Sequence, residues 1–213
     1  MAVSAKAKKI VDQLGPNTKL GDLRNIAKEI KKDHVLAMEL WESESFLARQ
    51  LAILIMDKKL LSSDLINKLD GGIQKHVTEE QTQLMDWLMA NQLMKDKKTV
   101  ALIETWRKSP SPLQRRCFWY YQGRLRWMGK IPPGDTASLL EAIESDLLQE
   151  NPIVQWAMNF TAGWIGVYDA QYRSRCIALG IKTGLYKGEM VSKGCTPSYL
   201  PEFISIEAEK RGL

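Results

Sequence analysis

An all-α chain is expected from three observations. Apolar residues recur at helical spacing in several segments. Alternating apolar and polar runs and Asn-Gly hairpin signals are missing. Helix punctuation is frequent along all 213 residues. In chain order, Gly15 reads as a stop, and FLARQLAILIM at 46–56 reads as a buried helix. Gly71-Gly72 reads as the next stop. Thr78 with Gln81 fits a capping box before QLMDWLMANQLM. Ser111-Pro112, Asn151-Pro152 and Leu200-Pro201 each put a proline at a first helical position. Gly129 and Gly212 close the helices that precede them. The tail GCTPSYLPEFISIEAEKRG reads as a loop and a final helix with a packing role.

The segments 46–56, 112–122 and 152–162 are the same kind of helix: each follows a polar or proline turn. With a further helix at 79–94, the spacing is roughly 30–45 residues, the range of HEAT-type helical pairs. The expectation is a single HEAT-like-repeat domain over 1–213, an α-α solenoid. The concave face of such a solenoid suits an extended ligand.

Composition excludes several classes. The longest apolar runs, such as LAILIM at 51–56, are far too short to span a bilayer. The N-terminus lacks the apolar stretch of a secretion signal. Cys117, Cys176 and Cys195 are odd in number and widely spaced, which argues for a reducing cytoplasm and against a disulfide framework. Cys195 has no activating partner in the sequence, so it is not read as a nucleophile. With only His34 and His76 and no CxxC or HxxxH, no zinc site is expected. A monomer without metal or cofactor is the expectation.

Charge is segregated. The stretch Trp106–Trp127 holds three tryptophans, two tyrosines and six basic residues, with no acid. Lys95–Lys130 carries ten Lys or Arg against Asp96 and Glu104, a net of +8 where the whole chain has +5. Ile131–Asp169 has no Lys or Arg and six acids. Such segregation suits a polyanion. Interleaved aromatics favour nucleic acid over a membrane. Lys6, Lys8 and Lys9 form a smaller basic group, either a solvated face or an auxiliary phosphate contact.

Several segments resemble the DNA alkylation repair enzyme family, the HEAT-like-repeat alkylpurine DNA glycosylases. LRNIAKEIKKDHVLAMELWESESFLARQLAILIMD at 23–57 is similar to the family's LRxIAKEI, its helix ending in LW and its ARxLA helix. MDWLMANQ at 85–92 sits where the family has a W-D-x-x-D-like helix. PLQRRCFW at 112–119 and IVQWAMNFTAGWIG at 153–166 resemble two later family helices, and the similarity spans about 20–185. The resemblance implies a DNA glycosylase acting on double-stranded DNA with N3- or N7-alkylated purines. It places Trp87 on a groove tryptophan and Asn91 on the catalytic aspartate. Leu88 replaces the other acid. Arg115 falls on an arginine that contacts the DNA backbone, and Phe160 on a second groove tryptophan. Gly163 stands where the family has an arginine.

Release of an alkylated purine requires stabilising an oxocarbenium-like sugar, which a carboxylate does electrostatically. Asn91 can hydrogen-bond a water or phosphate but supplies no negative charge. Trp87 and Asn91, at i and i+4, share a helix face. Asp86, Glu79, Glu80 or Asp169 are candidate stand-ins. Arg115, Arg116 and Arg124 are candidate phosphate contacts, and Trp119, four residues after Arg115, a candidate stacking plane. The alternative for Trp87, Trp119 and Phe160 is core packing. Trp106, Trp127, Trp156 and Trp164 are read as core. The leading expectation is an alkylpurine glycosylase; a catalytically degenerate DNA-structure binder is the alternative, and a protein–protein scaffold ranks behind both.

Overall fold

The computed structural model describes residues 4–130 and 134–213. The first three residues of the acidic segment lie outside it. Among the described residues every regular element is an α-helix or a short 3₁₀ turn. The chain forms two compact units, Met1–Thr105 and Trp106–Leu213.

The first unit holds α1 (Ala5–Gln13), α2 (Leu20–Ile30), α3 (His34–Glu42), α4 (Phe46–Ile55), α5 (Ser63–Ile73), α6 (Thr78–Asn91) and α7 (Lys97–Thr105). Helix α4 is its centre, packed on α2, α3 and α6. Seven of its ten residues are buried, as its near-continuous apolar sequence requires. One of the seven is Arg49, at 2% exposure. Its guanidinium donates to the carbonyl oxygens of Trp41 at 3.1 Å and Gly72 at 2.7 Å. It also contacts His76 Nε2 at 2.6 Å and lies 5.0 Å over the Trp41 ring. The arginine of the ARxLA segment is therefore a staple between three helices. Burial, partly opposed by Glu44 and Glu42, pulls its pKa down.

Two punctuation readings in this unit are corrected. Gly71 and Gly72 lie inside α5. At Gly72 a Cβ would come within 2.9 Å of Trp41 Nε1, so glycine is there for close approach. The Thr78–Gln81 capping box does not form: Val77 is the cap residue, without a side-chain bond. Gln81 instead donates to the carbonyls of Gln74 and His76. Glu79 and Glu80 provide the negative charge that favours this helix start.

The second unit holds α8 (Pro112–Trp127), α9 (Thr136–Asp146), α10 (Pro152–Tyr168), α11 (Ala170–Thr183) and α12 (Leu200–Glu209). Its centre is α10, which packs on all four others and buries eleven of its seventeen residues. The proline starts hold here. Ser111 Oγ caps the Gln114 N–H before Pro112, and Asn151 Oδ1 caps the Ile153 N–H before Pro152. Pro201 stands one residue further in, after Leu200. Gly129, at φ 66°, follows α8 as expected.

Helices α8 and α10 approach very closely. A Cβ at Gly123 would meet Phe160 Cδ1 at 2.6 Å and the Thr161 backbone at 3.2 Å. Thr161 Oγ1 crosses the gap to the Trp119 carbonyl at 2.5 Å. A Gly123→Val variant is expected to lose about 1–3 kcal/mol of stability by overpacking. Gly71→Ala, where no atom lies within 4 Å of the added Cβ, is expected to gain about 0.5–1 kcal/mol. Urea unfolding of both variants checks the pair.

Candidate nucleic-acid interface

Four aromatic residues of α10 are spaced by four: Trp156, Phe160, Trp164 and Tyr168. On a helix this spacing lines them along one face. Trp156 and Phe160 stack at 5.3 Å and 14°, Phe160 meets Trp164 edge to face at 6.1 Å, and Trp164 stacks on Tyr168 at 5.9 Å. Helix α8 adds Tyr120, stacked on Phe160 at 5.2 Å, and Trp127, 6.2 Å from Trp164. Helix α12 adds Phe203, edge-on to Trp164 at 5.2 Å. The centre of this ladder is core, with Trp164 at 4% exposure, while Trp127 at 41% and Tyr168 at 37% open to solvent.

Three arginines sit on these rings. Arg116 lies 4.7 Å over Trp156, Arg124 4.8 Å over Trp127, and Arg211 4.6 Å over Trp164. Each such contact is worth roughly 0.5–2 kcal/mol, more when desolvated. An open aromatic face beside a cation offers a base a stacking plane and a phosphate its counter-charge. Trp127, 41% exposed, carries Arg124 over its ring at the end of α8. The sequence reading of Trp127 as core is corrected by its exposure; Trp106 and Trp164 are core as expected. Trp156 is half-buried.

Arg115 makes a bidentate pair with Glu150, both contacts at 2.9 Å. Its third nitrogen donates to the carbonyls of Ser109 and Pro110. A phosphate would have to displace these partners. Arg116 is 6% exposed and donates to the Ile153 carbonyl at 3.0 Å. Trp119, at 3% exposure, lies beneath Arg107 and edge-on to Phe118, so it presents no face for stacking. Phe160 is half-buried between Trp156 and Tyr120. Arg126, another cation of the basic stretch, is 1% exposed and donates to Gln122 and Thr136. The charge segregation of the sequence is thus partly consumed inside the unit.

In the first unit, Trp87 and Asn91 share the end of α6, as the i,i+4 spacing requires. Trp87 is half-buried and donates its Nε1–H to the Gln50 carbonyl at 3.1 Å. Arg24, which the sequence reading did not single out, lies 5.2 Å over the Trp87 ring. Asn91 Nδ2 donates to the Trp87 carbonyl at 2.8 Å. Of the candidate stand-in carboxylates, Glu80 holds His76 Nδ1 at 2.6 Å and Glu79 is exposed at the start of α6. Asp169 belongs to the second unit, where it caps α11 through the Gln171 N–H. Asp86 is half-buried. The thiol of Cys176 is pushed up to about 12 by burial and is chemically quiet.

Glu207 fixes the end of the C-terminal helix, where Arg211 lies over Trp164. Its carboxylate accepts from Thr196 and from Lys210, the latter at 2.9 Å, and pairs with Arg211. Burial pushes its pKa up, but these hydrogen bonds outweigh it and hold it below the ordinary value. A depressed carboxylate stabilises the fold above its unfolded pKa, and that stability is lost as pH falls through the folded value. Thermal unfolding should therefore show wild type losing its advantage over Glu207→Gln as pH drops from 7 into the acid range. At pH 7 the variant should be less stable by about 1.5–3 kcal/mol, the worth of a hydrogen bond to a charged group.

The sequence model of the family described as "DNA alkylation repair enzyme" matches residues 14–171. No curated protein matches the chain by sequence. A solved structure matches with a TM-score of 0.69 and 19% sequence identity, covering 98% of this chain and 89% of its own. It is described as belonging to "a new family of proteins related to the HEAT-like repeat DNA glycosylases with affinity for branched DNA structures". At this identity the likeness establishes a HEAT-like helical fold.

Proposed function

The chain belongs to the DNA alkylation repair enzyme family, and on that premise we propose that it is a DNA-binding protein that recognises DNA structure without excising bases. The observation that carries this reading is Asn91. On the position that the resemblance gives to the catalytic acid stands a neutral amide, hydrogen-bonded back to its own helix at Trp87. An amide cannot offset the positive charge that develops on the sugar. Loss of one such preorganised group costs about 3–4 kcal/mol of transition-state stabilisation, or 10²–10³ in rate.

DNA binding is supported by the arginine-aromatic face at the end of α8 and along α10. It is supported too by the structurally similar protein, described as having affinity for branched DNA. A second reading, excision of N3- or N7-alkylpurines, is favoured by Trp87. The ring is half-buried beneath Arg24 and hydrogen-bonded in place at Gln50. A protein–protein scaffold is the third alternative.

Binding to a labelled three-way junction and to duplex DNA, titrated from 50 to 300 mM salt, separates these readings. Affinity should fall steeply with salt, as counterion release demands. Arg124→Ala should weaken binding and reduce the magnitude of the salt slope by about 1. DNA affinity that is absent or insensitive to salt would leave only the scaffold. In parallel, methylated duplex DNA should release no purine beyond the spontaneous rate. Enzymatic release that survives Asn91→Ala would instead establish a glycosylase whose chemistry lies with another group.

A further inference from the structure

A cavity of about 200 Å³ opens beside the aromatic ladder. Its walls are Trp156, Asn159 and Phe160 of α10, Thr196 and Ser198 of the loop before α12, and Phe203 of α12. Three aromatic rings and a few fixed polar groups in a small concavity are the composition of a site for a flat heteroaromatic ligand.

The polar wall is built, and it is incomplete. Asn159 is 3% exposed. Its Nδ2 donates to the Ser198 carbonyl at 2.7 Å, which fixes the orientation of the amide. Its Oδ1 is then a buried acceptor without a partner. Buried acceptors are normally satisfied, and an orphan in a native core calls for an explanation. The facing loop is held on both sides: Glu189 accepts from the Ser198 N–H at 2.8 Å, and Glu207 accepts from Thr196.

The apolar wall depends on Gly163. A Cβ there would lie 2.7 Å from Phe203 Cδ1, so the Phe203 ring rests on bare helix backbone. The arginine that the resemblance expects at this position would occupy that space. Its replacement by glycine admits Phe203 and with it the loop bearing Thr196 and Ser198. The tail of the chain thus forms half of the cavity.

We propose that this cavity receives one unpaired nucleobase of bound DNA, inserted among the rings of Trp156, Phe160 and Phe203 with an N–H edge toward Asn159. The inference rests on the DNA-binding reading above and deepens it. Phe160 is already stacked by Trp156 and Tyr120, so in this arrangement Phe203 supplies the stacking face, the edges of Trp156 and Phe160 close the pocket, and one hydrogen-bonding side chain meets the edge of the base. A branch point or bulge supplies an unpaired base at the lowest cost, because no pair has to be broken.

The test compares two junction DNAs that differ at a single unpaired branch-point nucleotide: one carries adenine, the other an abasic site. Wild type should bind the adenine junction about tenfold tighter or more, the range expected for one stacked base. Asn159→Leu and Phe203→Ala, from opposite walls, should each shrink that ratio toward one while retaining salt-dependent binding. Circular dichroism melting identifies which variants keep the fold. If neither does, the ratio measured on wild type decides alone. Equal wild-type affinity for both junctions, with salt dependence intact, overturns the base cavity and leaves DNA binding standing. Absence of any junction binding removes both. Variants that weaken both DNAs equally assign Asn159 and Phe203 a merely structural role and overturn the proposal.

Discussion

The second unit depends on the close approach of α8 to α10. Gly123 lets the Phe160 ring lie against the neighbouring helix, and Thr161 ties the two backbones through the Trp119 carbonyl. At this separation Tyr120 stacks onto Phe160, and Trp127 reaches Trp164. A larger residue at 123 would push the helices apart and dissolve the ladder from its middle. The arginines on the rings follow from the same geometry, because Arg116 and Arg124 share α8 with Tyr120 and Trp127. Packing and candidate function are therefore one arrangement, with a buried centre and open ends.

Charge behaves differently in space than along the chain. The basic stretch is far from neutral in sequence, yet Arg126 is buried to satisfy Gln122 and Thr136, and Arg115 is paired with Glu150. The acidic segment supplies that partner, so two opposite runs fold against each other. Other cations of the stretch stay open: Lys95, Lys97, Lys98, Lys108 and Lys130 are exposed, and Arg124 lies on Trp127.

The helical class was legible from periodicity and from the Ser-Pro and Asn-Pro starts, because these are local effects. The three segments read as one kind of helix became α4, α8 and α10, and two of them are the centres of their units. Gly71-Gly72 misled, since glycine serves close packing against Trp41 as readily as it ends a helix. Thr78 with Gln81 misled because Gln81 found carbonyls outside the helix. Trp87 and Asn91 came together because four-residue spacing settles it. Arg24 over Trp87 was out of reach, since that contact joins α2 to α6. The Trp156, Phe160, Trp164, Tyr168 ladder carried a readable signal, an aromatic at every fourth position. Which of its rings face solvent depends on α8 and α12. The roles of Phe203 and Asn159 needed the tertiary structure, because Gly163 gives no hint in sequence of the ring that covers it.

On the proposed function, DNA lies on the arginine-aromatic face of α8 and α10. Photo-crosslinking to junction DNA bearing 5-bromodeoxyuridine, followed by peptide mapping, tests it directly. Crosslinks should concentrate on the peptides carrying Trp127, Trp156 and Tyr168, and competition with excess unlabelled junction should remove them. Specific crosslinks that map elsewhere, with these three peptides unmodified, would contradict the claim.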